Sequence, residues 1–120
     1  MKKTAIILVF MMMLMATGCG FAVKDDYQND DLETIAKCLT EKGAIMYGAV
    51  WCPHCTDQKE SFGDAFKFVN YVECDPNTSP EQSKICLEKK IEGLPTWDLP
   101  SGERIMGYRP VSELADLAGC

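Results

Sequence analysis

The stretch WCPHC, residues 51 to 55, carries the most chemistry in this chain. Two cysteines stand two residues apart, with Pro53 and the chain's single histidine, His54, between them. Such a pair can cycle between dithiol and disulfide, supply half of a zinc site, or staple the chain. Exchange needs a thiolate, and a free cysteine is mostly protonated at neutral pH. A helix N-terminus favours the anion, because its unpaired N–H groups and its dipole point at the charge. Pro53 suits the first position of a helix. That puts Cys52 just ahead of the helix and Cys55 one turn in. Cys52 is then the nucleophile, and the more buried Cys55 is the resolving residue. A protonated His54 beside the thiolate adds to its stability; otherwise His54 is an ordinary exposed side chain. A stable thiolate leaves easily, so the disulfide form of the pair becomes oxidising. The pair is itself the redox centre, and no cofactor is expected.

A metal reading is weaker. Zinc ribbons use a second close cysteine pair. The gap between Cys74 and Cys86 is wide, and the one histidine lies inside the first motif, so no metal is expected.

The elements that position the pair follow from spacing. In DDLETIAKCL, Leu32, Ile35, Ala36 and Leu39 fall on one helical face, with Asp30 and Glu33 as a capping box. Residues 44–51, AIMYGAVW, form a continuous apolar run, as expected of a strand buried on both faces. After Pro53, a helix continues through Phe62, Ala65, Phe66 and Val69, with Gly63 weakening or bending it. YVEC, residues 71–74, reads as a second strand. Ser79, Pro80 and Gln82 open another helix, which carries Ile85, Cys86 and Leu87 and ends near Gly93. PTWDL and ERIMGY flank PSG as a hairpin, and Ser112 caps a last helix containing Leu114, Ala115, Leu117 and Ala118. Strand–helix–strand order implies parallel central strands with a right-handed crossover. The hairpin adds antiparallel strands. The expected fold is α/β and thioredoxin-like, with a mixed four-stranded sheet flanked by helices. A C-x-x-C at a strand-to-helix junction is the redox arrangement of that fold.

Residues 1–19 read as a leader. Lys2 and Lys3 precede an unbroken apolar run from Ala5 to Ala16, then small residues and Cys19. ATGC resembles a bacterial lipobox, with Cys19 as the lipidated residue. A cleaved secretory signal and an uncleaved anchor are the other readings. All three leave residues 24–120 outside the cytoplasm, attached to the membrane in two of them. Residues 20–30 read as a tether and 31–120 as the domain. Setting Lys2 and Lys3 aside leaves 10 of the 12 basic residues against 18 acidic ones. No basic patch stands out, which argues against nucleic acid. Seven cysteines are heavy usage for 120 residues, and disulfides persist outside the cytoplasm. With Cys19 lipidated, six remain, an even number whose pairing the sequence leaves open.

These motifs resemble a known family. CPHC is the tetrapeptide of DsbA-type oxidants. More specifically, KCLTEKGAIMYGAVWCPHC, QKESFG, YVECDPN, IEGLPTW, GERIMGY and ELADLAGC, in that order, are similar to the thioredoxin-like domain of bacterial vitamin K epoxide reductase homologues. The resemblance covers roughly residues 32–120. It implies a membrane quinone reductase as partner, expected here as a separate chain, and protein thiols or disulfides as substrates. It also implies a cis-proline at Pro95, across from the pair. Leu94, Pro95 and Thr96, with Trp51, then form the expected substrate-binding surface. Thioredoxin keeps a buried aspartate where this chain has Met46, and its absence favours an oxidant over a reductase. The resemblance supports a structural disulfide between Cys74 and Cys86; a second redox relay is the alternative. In a thioredoxin arrangement the first and last helices both run away from the active site, so Cys38 and Cys120 could also pair.

Overall fold

Leu32, Ile35, Ala36 and Leu39 do share one face of a helix, and the last three are buried. They belong to α1, Asn29–Glu41, the first element of a computed structural model that describes residues 27–120. The leader, Cys19 and most of the tether lie outside the described residues. The tether's expected end needs correction, because the helix begins at Asn29. Gln28 is its N-cap, and its carbonyl accepts the Asp31 and Leu32 N–H groups. Asp30 is therefore inside the first turn and caps nothing. It still favours the helix by placing negative charge near the N-terminus.

The chain continues as β1 (Ile45–Gly48), α2 (Pro53–Phe62), a 3₁₀ segment (Gly63–Phe68), β2 (Tyr71–Glu73), α3 (Pro80–Glu88), β3 (Thr96–Asp98), β4 (Arg104–Met106) and α4 (Val111–Ala118). The expected order of elements holds. The sheet runs β2-β1-β3-β4, with β1 parallel to β2 and both remaining pairings antiparallel. This is a mixed α/β, thioredoxin-like fold.

Several boundaries move for identifiable reasons. The apolar run 44–51 stops being strand at Gly48, because the Cys52 N–H turns back onto the Ala49 carbonyl at 3.1 Å. At Gly63 the backbone takes a φ of +54°, which closes α2 and starts the tighter 3₁₀ segment. That conformation is one glycine adopts without a Cβ penalty. Ser79 stands at the N-cap of α3, but its side chain caps nothing. Gln82 does not complete a capping box either: its amide oxygen accepts the Glu73 N–H at 2.7 Å. The N-cap of α4 is Pro110, not Ser112. On α3 the expected apolar residues Ile85 and Leu87 are exposed, and the buried face is Ser83 and Cys86.

The core lies between sheet and helices. Trp97, Phe62, Leu39, Met46 and Leu114 are fully buried. Trp97 and Phe62 pack with ring centroids 6.1 Å apart and planes tilted by 39°. Gln58, also buried, ties α2 to this core: its amide accepts from Trp97 Nε1 and the Arg109 N–H and donates to the Arg109 carbonyl. These bonds fix the seating of α2, and with it the position of its first turn.

Candidate active site

Cys52 is the N-cap of α2, with Pro53 at the first helical position. Its sulfur accepts the Cys55 N–H at 3.3 Å. The expectation that a helix start supports this sulfur therefore has a specific donor. Cys55 is fully buried one turn in, while Cys52 keeps 5% of its surface exposed. Both are free thiols. Burial, and then the hydrogen bond that the Cys55 thiol gives to the Cys52 sulfur, push Cys55 from 9.0 up to about 12. The two sulfurs are thus chemically unequal: one is accessible and held by a helix N–H, the other is enclosed and kept protonated.

That inequality predicts a pH dependence. With the couple reduced, the unfolded chain releases the Cys55 proton near pH 9, whereas the folded chain holds it to about 12. The folded state binds more protons in this window, so stability falls as pH rises through it and is fully present below it. Denaturant unfolding of the reduced protein from pH 8 to 11 should show a steeper loss than the Cys55→Ala variant. Equal slopes would contradict the burial assignment.

Across from Cys52 stands the loop before β3. The Leu94–Pro95 peptide is cis, and the Cys52 thiol lies 3.7 Å from the Leu94 carbonyl. Trp51 is 67% exposed and Leu87 79%. They flank a groove of about 390 Å³ that runs from Cys52 past Ile91 and Leu94 to the Cys74 and Cys86 positions. Exposed apolar surface of this kind marks an interaction site more often than chance. Thr96, expected at the substrate surface, is buried instead. Its hydroxyl donates to the Gly93 carbonyl at 2.6 Å, and its backbone pairs with both β1 and β4. Thr96 shapes the loop from beneath.

His54 projects into solvent, 73% exposed, with Nδ1 3.7 Å from the Asp57 carboxylate. An imidazole so exposed is well screened by water, so the helix N–H is the stronger support for the Cys52 sulfur. Both outlying cystines form: Cys38 bonds to Cys120, and Cys74 to Cys86.

Four residues outside the C-x-x-C motif surround the pair: Gly48, Lys59, Tyr71 and Glu73. A Cβ added to Gly48 would meet Tyr71 Cε2 at 2.8 Å, the Tyr71 hydroxyl at 3.1 Å and Cys55 Sγ at 3.2 Å. Only a bare Cα lets the ring and the sulfur come this close. The Tyr71 hydroxyl donates to Glu73 Oε2 at 2.9 Å, and Lys59 Nζ sits 4.1 Å from the Tyr71 ring centroid. The one sequence signal was Gly48 itself, an isolated glycine inside a strand pattern, which marks a close approach.

Fold and site together define a thioredoxin-like domain with a C-x-x-C pair at the start of a helix, facing a cis-proline loop. The chain is 45% identical over 89 residues to the thiol-disulfide oxidoreductase LTO1 of Arabidopsis thaliana, a match that takes in 71% of this chain and 23% of that protein. It is a homologue of a thiol-disulfide oxidoreductase, and it spans about a quarter of that relative's length. No protein-family model matches the chain.

Proposed function

We propose that this protein is an extracytoplasmic thiol–disulfide oxidoreductase that donates disulfides. The observation that carries this reading is the Cys52 sulfur held by the Cys55 N–H at the head of α2, with a buried thiol one turn behind it. In the oxidised protein, a client thiolate attacks Cys52 Sγ and breaks its bond to Cys55, which leaves as a thiolate and takes up a proton. A second client thiolate attacks the client sulfur now joined to Cys52. Cys52 leaves as a thiolate, and the client departs with a disulfide. Two electrons have passed from client to pair. The Leu94 carbonyl, which faces the Cys52 thiol, is then free to accept an N–H from the extended client segment. Trp51 and Leu87 offer that segment an apolar flank.

Reoxidation needs an acceptor. The resemblance to the thioredoxin-like domain of vitamin K epoxide reductase homologues supports a membrane quinone reductase in that role. The leader, with Lys2 and Lys3 ahead of the apolar run, supports placement outside the cytoplasm. The ATGC stretch, which resembles a lipobox with Cys19 as the lipidated residue, supports membrane attachment, as would an uncleaved anchor. Mixing the oxidised protein with a reduced, unfolded client containing two cysteines tests the direction. One client disulfide should form per protein, with Cys52 and Cys55 becoming alkylatable. If instead the reduced protein cleaves the client's disulfide and the oxidised protein leaves its thiols untouched, the protein is a reductase.

A further inference from the structure

Glu73 is a nearly buried carboxylate that the exchange chemistry above does not use. No cation pairs with it in any described ion pair. Both of its oxygens are instead directed: Oε2 accepts the Tyr71 hydroxyl at 2.9 Å, and Oε1 accepts the Asp75 N–H at 2.9 Å. Gly48 pairs with Glu73, and Met46 with Tyr71, across the parallel β1–β2 ladder. All four residues therefore sit on one sheet face. Because position 48 has no side chain, the Tyr71 hydroxyl and Cys55 Sγ both close on the same bare Cα, within 3.1 and 3.2 Å of where a Cβ would be. The Cys55 thiol and the Tyr71 hydroxyl thus converge over Gly48 without a hydrogen bond between them, and the Tyr71 hydroxyl bonds on to Glu73. Met46, the residue behind it on β1, cannot take a proton.

We infer that Tyr71 and Glu73 form the proton acceptor for Cys55. The inference rests on the exchange reading above, and it concerns the step that closes the Cys52–Cys55 bond. There Cys52 is joined to another sulfur, and Cys55 must become a thiolate to displace it. The Cys55 proton passes through one bridging water to the Tyr71 oxygen as the Tyr71 proton passes to Glu73 Oε2. Cys55 Sγ bonds to Cys52 Sγ, the bond from Cys52 to the outside sulfur breaks, and that sulfur leaves as a thiolate with the bonding pair. Glu73 ends protonated, and total charge is unchanged.

The surroundings fit this role. Burial, with Cys52 beside it, keeps Cys55 protonated at neutral pH, so an acceptor is required. Burial, and then the bond to Glu73, hold the Tyr71 hydroxyl well above the ordinary phenol range, so it serves as a neutral carrier of the proton. Among charged and titratable groups, Cys52 and Lys59 face Cys55 from α2, and Tyr71 faces it from β2. The Lys59 cation favours the Cys55 anion as it forms. The Glu73 carboxylate takes the Tyr71 hydroxyl and the Asp75 N–H, while neutral Gln82 from α3 accepts the Glu73 backbone N–H. Tyr71 touches the reacting sulfur's surroundings, and Glu73 acts through Tyr71.

A chromogenic aromatic disulfide (Ellman's reagent) separates the two steps in the reduced protein with its other two cystines intact. Cys52 releases a first aromatic thiolate, and Cys55 then releases a second. Glu73→Gln and Tyr71→Phe should leave the first release unchanged and slow the second by about tenfold or more at pH 7, the scale of a lost general base. The deficit should close above pH 9, where hydroxide takes the proton directly. A second release unchanged in both variants overturns the inference. So does slowing of both releases together, or by one factor at every pH, since either outcome marks a packing role. A wild-type chain that gives the first release and never the second overturns the exchange reading itself.

Discussion

Replacing Cys52 by serine should abolish thiol–disulfide exchange, while Cys55→Ser should leave the protein covalently joined to its clients. The difference follows from position. Cys52 is the sulfur at the helix start, reachable through the groove between Trp51 and Leu94. Without it no client bond forms. Cys55 is enclosed and protonated, so its part is to break a bond already made at Cys52. Serine at 55 cannot do this, and the mixed disulfide persists. Non-reducing electrophoresis of the two variants after incubation with a disulfide-bonded client, whose disulfide Cys52 attacks and whose other sulfur leaves as a thiolate, reads both outcomes. Adducts on Cys52→Ser and none on Cys55→Ser would reverse the two roles.

The largest effect on stability should come from the Cys38–Cys120 bridge. It closes a loop with a sequence separation of 82, against 12 for Cys74–Cys86. By the chain-entropy estimate these correspond to about 4–5 and about 3 kcal/mol. For a domain near 100 residues, losing the longer bridge should lower Tm by upward of about 15 °C. The bridge fastens α1 to the chain end after α4, and the Lys42 ammonium on the Gly119 carbonyl holds the same junction more weakly. Thermal unfolding of a Cys38→Ala/Cys120→Ala protein checks the size. A loss under about 1 kcal/mol would show that packing of α1 on α4 already supplies the constraint. Because the Cys74–Cys86 pair borders the groove beside Cys52, its removal should cost stability and still leave the Cys52–Cys55 couple chemically intact. Lost activity at unchanged stability would make that pair a relay.

Much of this architecture was readable because its signals are local. Pro53 after Cys52 announces a helix start, and the apolar run before it announces a buried strand. Residues Leu32 to Leu39 show their buried face by spacing alone. Caps were less readable. Asp30 with Glu33, Ser79 with Gln82, and Ser112 each have the composition of a cap. In each case a tertiary partner or a shifted boundary took precedence, most clearly when Gln82 turned to the Glu73 N–H. The Cys38–Cys120 bond depends on where two distant helix ends meet, which no spacing within either helix records. Glu73 was hidden for a related reason. A glutamate at the end of a short strand looks like ordinary solvated charge, and only the parallel pairing of β1 with β2 brings it behind Gly48. The sequence also gave His54 more weight than its exposed position supports.

The central claim is that the Cys52–Cys55 couple is poised to oxidise, and its reduction potential tests this most directly. A hydrogen bond to a charged acceptor contributes roughly 1.5–3 kcal/mol, equivalent to about 30–65 mV for two electrons. The Cys55 N–H on the Cys52 sulfur stabilises the reduced form by that order. Equilibration with glutathione buffers should place the couple above about −200 mV, on the oxidising side of thioredoxin at about −270 mV. His54→Ala should then lower it slightly. A potential near about −270 mV, unmoved by that substitution, would contradict the oxidant assignment.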